Sequence, residues 1–264
     1  MASDLRITVL GSGTSVGIPT VRCRCAVCTS SDPRDKRLRP SVLVTFDEGD
    51  ETRNVLIDTT PDFRQQALSA GFERLDAVLY THEHADHIMG LDDIRPFNYG
   101  RDDRIPAYAD KRTLENLLRA FPYAFKEIDT HPGGVPRLDP RQITGDTIPL
   151  HGLDFQPVPV HHGRRMINAF RFGRAAYVTD NSDIPPESVP QLEDLDVLFL
   201  DALRRDPHPS HSSLPQALEW VERLRPKRAF LTHICHDIGH ASTEADLPDN
   251  VYLAYDGLVI ETHA

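Results

Sequence analysis

No stretch of the chain approaches the ~18 consecutive apolar residues that a membrane-spanning helix needs, which excludes such a helix. The opening MASDLRITVL lacks the apolar run and small-residue cleavage site of a secretory signal, so the cytoplasm is the expected location. Positive charge is in short supply. Lys and Arg number 29 against 40 Asp and Glu, a formal charge of −11 with a pI of about 5.6. That balance argues against general binding to nucleic acid or anionic lipid, leaving room only for a local basic patch. Cysteine is scarce too, at four residues, and three of them crowd into CRCAVC. Those spacings are too tight for easy mutual disulfides, and in a reducing compartment a shared metal is the better expectation. Internal repeats, low-complexity tracts and composition breaks are missing, so residues 1–264 read as a single domain. At 39% hydrophobic and 26% charged residues, the chain can bury a core and is not globally disordered.

What is present is a run of short β-branched segments punctuated by Gly, Pro and Asp. They are Arg6–Leu10, Ser41–Phe46, Asn54–Ile57, Ala77–Tyr80, Phe155–Val160, Ala175–Thr179, Val197–Leu200, Arg228–Leu231 and Val251–Leu253. Helical patterns lie between them. Asp110 is placed to cap a helix carrying Leu114, Leu117, Leu118 and Phe121, which Pro122 ends. Ser213-x-x-Gln216 reads as a capping box before Leu214, Leu218, Val221 and Leu224. Several strands follow one another directly, so a layered α/β (α+β) sandwich fits better than a strict βαβ repeat. Residues 11–40 hold the Cys-rich loop. Residues 94–151, with Pro132, Gly133, Gly134, Pro136 and Pro140, read as loop-rich: either a cap over a site or a surface excursion.

The strongest chemical signal is THEHADHIMG, residues 81–90, directly after an apolar strand. His82, His84, Asp86 and His87 place four metal-competent groups in six residues. A strand running out into a loop turns successive side chains apart, so His82 and His84 can share one ion while Asp86 and His87 face another. Imidazole and carboxylate suit Zn, Fe or Mn. Further candidates stand at the ends of later strands: His162 (with His161 as rival), Asp180 and His233, where α/β sites gather. Cys23, Cys25 and Cys28 need a fourth ligand for a closed tetrahedral zinc site, and Cys235 and His236 both qualify. GSGTS, residues 11–15, is either a phosphate-cradling turn or a tight turn feeding the Cys loop. Arg34, Lys36, Arg37, Arg39, Arg164, Arg165, Arg204 and Arg205 are the basic groups from which a substrate phosphate could be held.

Taken together, LIDTTPDFR, THEHADH, VHHG, VTDNSD and LTHICH resemble the five motifs of the metallo-β-lactamase-fold hydrolases. The resemblance covers essentially the whole chain and implies a four-layer αββα sandwich. It implies two divalent ions, Zn or Mn: one held by His82, His84 and His162, the other by Asp86, His87 and His233, with Asp180 bridging them. It selects His162 over His161, because the family has His directly before Gly, and gives Asp58 the task of orienting ligands or water. An Asp at the bridging position is similar to the phosphodiesterases, ribonuclease Z and glyoxalase II rather than to the lactamases.

CxCxxC with THxxH narrows the resemblance to the phosphoribosyl cyclic phosphate phosphodiesterases of carbon–phosphorus lyase pathways. That subgroup implies a structural zinc on Cys23, Cys25, Cys28 and His236, a homodimer, and a catalytic His beyond the fourth motif. His211 is the match in DALRRDPHPSHSSLPQA, with His208 as rival. The expected activity is attack by a metal-activated water on a small cyclic phosphodiester. Asp86 and Asp180 would serve the ions, and an imidazolium at His211 would protonate the leaving group. A glyoxalase II-type thioesterase, a ribonuclease Z-like nuclease and a non-catalytic metal or redox module are the competing expectations.

Overall fold

The computed structural model describes residues 4–126 and 134–264. Its first sheet is built from β1 (Asp4–Gly11), β2 (Ser41–Glu48), β3 (Glu51–Ile57), β4 (Ala77–Leu79), β5 (Ile105–Ala109), β6 (Leu138–Gln142) and β14 (Val259–His263). The second uses β7 (Ile148–Leu150), β8 (Leu153–His162), β9 (Arg165–Phe172), β10 (Ala175–Val178), β11 (Val197–Asp201), β12 (Arg228–Thr232) and β13 (Val251–Leu253). The spatial orders are β14-β1-β2-β3-β4-β5-β6 and β13-β12-β11-β10-β9-β8-β7. Each sheet is antiparallel through its first strands and parallel through its last: β3-β4-β5-β6 in one, β10-β11-β12-β13 in the other. The chain has no sequence repeat, yet its two halves repeat this design.

The patterning explains the layers. β10, β11 and β12 are almost wholly buried, as parallel strands covered on both faces must be. Between the sheets lies an aromatic-rich core containing Phe46, Phe155, Phe170, Phe172, Tyr177 and Phe199. Outside the first sheet, α1 (Phe63–Ala70) and α3 (Lys111–Ala120) bury Phe63 and Leu117 in a second core. Outside the second sheet, α4 (Leu214–Leu224) buries Leu214, Ala217, Val221 and Leu224 in a third. Two short helices, α2 (Ala85–Ile88) and α5 (His240–Glu244), sit in the loops. Helices outside two stacked sheets make the expected αββα sandwich. Both expected caps are present. Asp110 Oδ1 accepts the Thr113 N–H at 2.7 Å, and Gln216 Oε1 accepts from Ser213 N–H and Oγ–H at 2.9 and 2.8 Å.

One expectation changes and one open choice closes. Residues 94–151 are not loop-rich where they are described: they supply β5, β6, β7 and α3. Pro106, Pro140 and Pro149 sit inside those short strands and masked them in the sequence. Pro132 and Gly133 of the expected cap lie outside the described residues. GSGTS is a clamp, not a phosphate cradle. Ser12 N–H goes to Asp256 Oδ1, Gly13 N–H to Leu38 O and Thr14 N–H to Ile234 O, so those donors are spent.

Gly90 closes the THEHADHIMG loop against the end of β3. Its N–H donates to Thr59 O at 2.9 Å, and a Cβ there would lie 1.9 Å from Thr60 O. Gly90→Ala is expected to cost about 1–3 kcal/mol or more, since backbone, not a movable side chain, is in the way. Thermal melting checks this; an unchanged midpoint would contradict the close approach.

Candidate metal centre

The site gathers at strand ends. Asp58 follows β3, His82 follows β4, His162 ends β8, Asp180 follows β10, Asp201 ends β11 and His233 follows β12. Asp58, Asp180 and His233 carry φ of 67°, 59° and 57°, a left-handed turn that swings each side chain back over the sheet rim. Such backbone costs roughly 1–3 kcal/mol per non-glycine residue and survives only where neighbours hold it.

The ligand atoms of His82, His84 and His162 lie within 4.8 Å of one another, as do those of Asp86, His87, Asp180 and His233. Asp180 faces both groups: its Oδ1 is 3.3 Å from His87 Nε2, while Oδ2 is 3.5 Å from His233 Nε2 and 3.8 Å from His82 Nε2. All seven residues expected from the sequence are thus brought together. The Nε2 atoms of His82, His87 and His233 are buried without a hydrogen-bond partner. Buried polar atoms left this way are costly and point to a group they are shaped to hold. Nitrogen and carboxylate donors converging at one rim fit divalent ions.

Supporting contacts aim the ligands. Buried Asp58 accepts from Thr81 N–H and Oγ–H at 2.8 and 2.7 Å and lies 2.7 Å from His87 Nδ1. His162 Nδ1 donates to Ser210 O at 2.7 Å, turning Nε2 inward. Of the two histidines at motif three, it is His162 whose ligand atom joins those of His82 and His84. Asp58→Asn, which keeps the shape and removes the charge, is expected to weaken metal binding about 10–100-fold. Metal titration of the ion-free chain checks it, and unchanged affinity would remove Asp58 from this role.

Electrostatics match the geometry. Burial holds His82, His84 and His162 below the ordinary imidazole range, in the neutral form a metal needs. Burial also opposes charge on His87, but Asp180, Asp86 and Asp58 outweigh it and keep that ring protonated well above its usual range. Burial resists ionisation of Asp180 as well, yet His233 and His87 hold its carboxyl well below normal. The protein alone thus places a cation among these carboxylates, the demand that a metal ion meets.

His211 Nδ1 is 2.8 Å from Asp201 Oδ2, and its ring stacks on His233 at 4.7 Å between centroids. Its ligand atom lies within 4.8 Å of those of His162 and Asp180. His208 stands behind it at 5.1 Å, close to Ser210. Asp201 was missed in the sequence, although it closes the apolar strand VLFLD as Asp180 follows its own. Burial pushes Asp201 well above its ordinary value and His211 below its own. Burial thus disfavours the charged form of both partners in this hydrogen-bonded pair. Of the eight basic residues singled out, Arg165 reaches a ligand of the His/Asp centre. It is the cross-strand partner of His162, with Nη1 2.9 Å from Glu83 Oε1 and 3.5 Å from His84 Nε2.

A second cluster stands apart. His236 Nδ1 is 3.0, 3.5 and 3.7 Å from the sulfurs of Cys23, Cys25 and Cys28. Cys235 turns its thiol to Asp237 instead. The Cys25 thiol is lowered to about 6, first by the Cys28 N–H pointing at its sulfur, which favours the thiolate a metal binds.

The model of the beta-lactamase superfamily domain matches residues 53–234. This chain belongs to that superfamily. The match spans Asp58 and all seven His/Asp candidates and leaves Cys23, Cys25, Cys28 and His236 outside its bounds. A crystal structure described as a new diphosphatase from the PhnP family is 48% identical, with a TM-score of 0.92 over 100% of this chain and 99% of that one. The Zn²⁺-bound PqqB of Methylobacterium extorquens shares the fold at a TM-score of 0.77 and 19% identity, covering 97% and 99% of the two chains. A Porphyromonas gingivalis protein named octanoyltransferase is 38% identical over 260 residues, 96% of this chain and 51% of that protein. The chain therefore spans about half of that relative, whose name describes the whole of it.

Proposed function

We propose that the protein is a dinuclear metal-dependent phosphodiesterase acting on a small cyclic phosphodiester. The observation that carries this is Asp180, whose carboxylate reaches nitrogens of both donor groups while the Asp201–His211 pair stands beside them. The 48% identical diphosphatase supports phosphoryl chemistry of this kind. His82, His84 and His162 would hold one ion, and Asp86, His87 and His233 the other, with Asp180 between. Ions there would supply acidified water and neutralise charge on phosphoryl oxygens; Zn and Mn both suit the donors. The chain's own part is to fix the ligands through Asp58 and Ser210 and to carry a proton on His211 Nε2 for the departing oxygen, with Asp201 behind it. The cysteine cluster would hold a structural zinc, and the homodimer implied by the subgroup belongs to the same proposal.

The diphosphatase offers a second reading, cleavage of a P–O–P anhydride, because the same centre serves either bond. Turnover of a bis-aryl phosphodiester, a cyclic phosphodiester, a nucleoside diphosphate and a glutathione thioester by the zinc- or manganese-loaded chain separates these. Preference for the cyclic ester is the expected result. Preference for the diphosphate would favour the second reading, and preference for the thioester would overturn both.

A further inference from the structure

We infer that the Cys23/Cys25/Cys28/His236 cluster, clamped by Arg37 onto segment 233–238, positions His233 and so sets how tightly the His/Asp centre holds its ions. This rests on reading that centre as metal-binding. His233 and His236 are three residues apart on one strap and serve different clusters. His233 carries a positive φ of 57°, a strained conformation that must be held from outside.

The strap is held along its length. Ile234 N–H donates to Ser12 O at 2.9 Å and Ile234 O accepts from Thr14 N–H at 3.1 Å, so the Cys loop grips the residue beside His233. Cys235 N–H donates to Leu203 O at 2.8 Å, and Leu203 N–H to Ser212 O at 3.0 Å, linking the strap to the loop that carries His211. Arg37 closes the arrangement. Its side chain is fully buried, with Nη1 donating to Cys235 O at 3.1 Å, Nη2 to Ile238 O at 2.9 Å and to Asp35 Oδ1 at 3.1 Å, and Nε to Arg34 O at 3.2 Å. A buried guanidinium is expensive, and its fixed fork of donors cannot be copied by lysine. Here it pins Cys235 and Ile238 of that strap at once. If the fourth ligand of the cysteine cluster were released, the strap would be free to relax at His233.

The test uses the full chain, with zinc in the cysteine cluster and the His/Asp centre stripped, titrated with Co²⁺ alone. Metal per chain is read by elemental analysis and the melting temperature is measured on the stripped protein. Arg37→Lys and Cys25→Ser each leave the seven His/Asp residues unchanged, yet both are expected to weaken Co²⁺ binding at that centre by about 10–100-fold, the scale of lost ligand-orienting contacts. Leu224→Ala, in the outer core beneath α4, should lower the melting temperature without changing Co²⁺ affinity. Cys25 lies in the partly exposed loop, so its variant carries the comparison if Arg37→Lys does not fold. Wild-type Co²⁺ affinity in Cys25→Ser, or equal weakening in Leu224→Ala, would overturn the coupling. A wild-type chain that takes up no Co²⁺ beyond the cysteine cluster would overturn the underlying metal-centre reading instead.

Discussion

Asp180→Ala is expected to abolish turnover, with kcat falling roughly 10³-fold or more and metal retention falling with it. The carboxylate lies within 3.3–3.8 Å of unpartnered nitrogens from both donor sets. Removing it takes a negative charge from between two sites that would each hold a dication, and several kcal/mol of charge stabilisation with it, each 1.36 kcal/mol being tenfold in rate. Alanine also sits poorly at the positive φ of 59°. Asp180→Asn separates these effects, since asparagine tolerates that backbone and keeps the shape. If charge is what matters, Asp180→Asn should lose both ions and activity nearly as fully as Asp180→Ala, with a smaller loss of melting temperature. Full metal content and normal turnover in Asp180→Asn would remove the bridging role.

The legible parts of this fold were those where chemistry and periodicity agreed. β11 and β12 are continuous apolar runs because parallel strands are buried on both faces, and such runs announce themselves. β9, RMINAFRF, mixes Arg and Asn into a half-exposed strand and gave no comparable signal, though its register with β8 brings Arg165 opposite His162. β5, β6 and β7 each contain proline, which sequence reasoning treats as a strand breaker; β6 and β7 are edge strands, which tolerate it, and Pro106 stands at the second residue of β5. In the site, residues whose type is rare outside metal chemistry were visible: the THEHADH run and the strand-end His162, Asp180 and His233. What escaped was Asp201, an ordinary aspartate whose meaning lies in a 2.8 Å contact with a histidine ten residues on. The choices between His161 and His162, and between Cys235 and His236, turned on which neighbour the backbone directs inward. The resemblance chose His162 and His236, and the ligand-atom clusters place those same two side chains inward, while Cys235 turns to Asp237.

His211→Ala is expected to lower kcat by about 10²–10⁴-fold on a substrate with a poor leaving group, while metal content stays at the wild-type level. The reasoning concerns the proton. An alkoxide leaving from phosphorus must be protonated as the bond breaks, and His211 is the ring whose Nδ1 is held by a carboxylate and whose other edge meets His162 at 4.8 Å between centroids. Burial disfavours charge on Asp201 and His211 alike, so the pair enters the reaction net neutral with one proton to give. After that proton leaves, Asp201 and His211 together carry one negative charge, which neighbouring ions would offset. A leaving group that needs no proton should expose the role. With a p-nitrophenyl ester, whose phenolate departs unaided, the penalty in His211→Ala should shrink to a small fraction of that seen with an alkyl ester. The acidic protonation that the wild-type rate requires should also vanish from the pH profile. An equal loss on both esters would mean that His211 holds the phosphoryl group or its neighbour His233 in place and donates nothing; retention of activity on the alkyl ester would take it out of the reaction altogether.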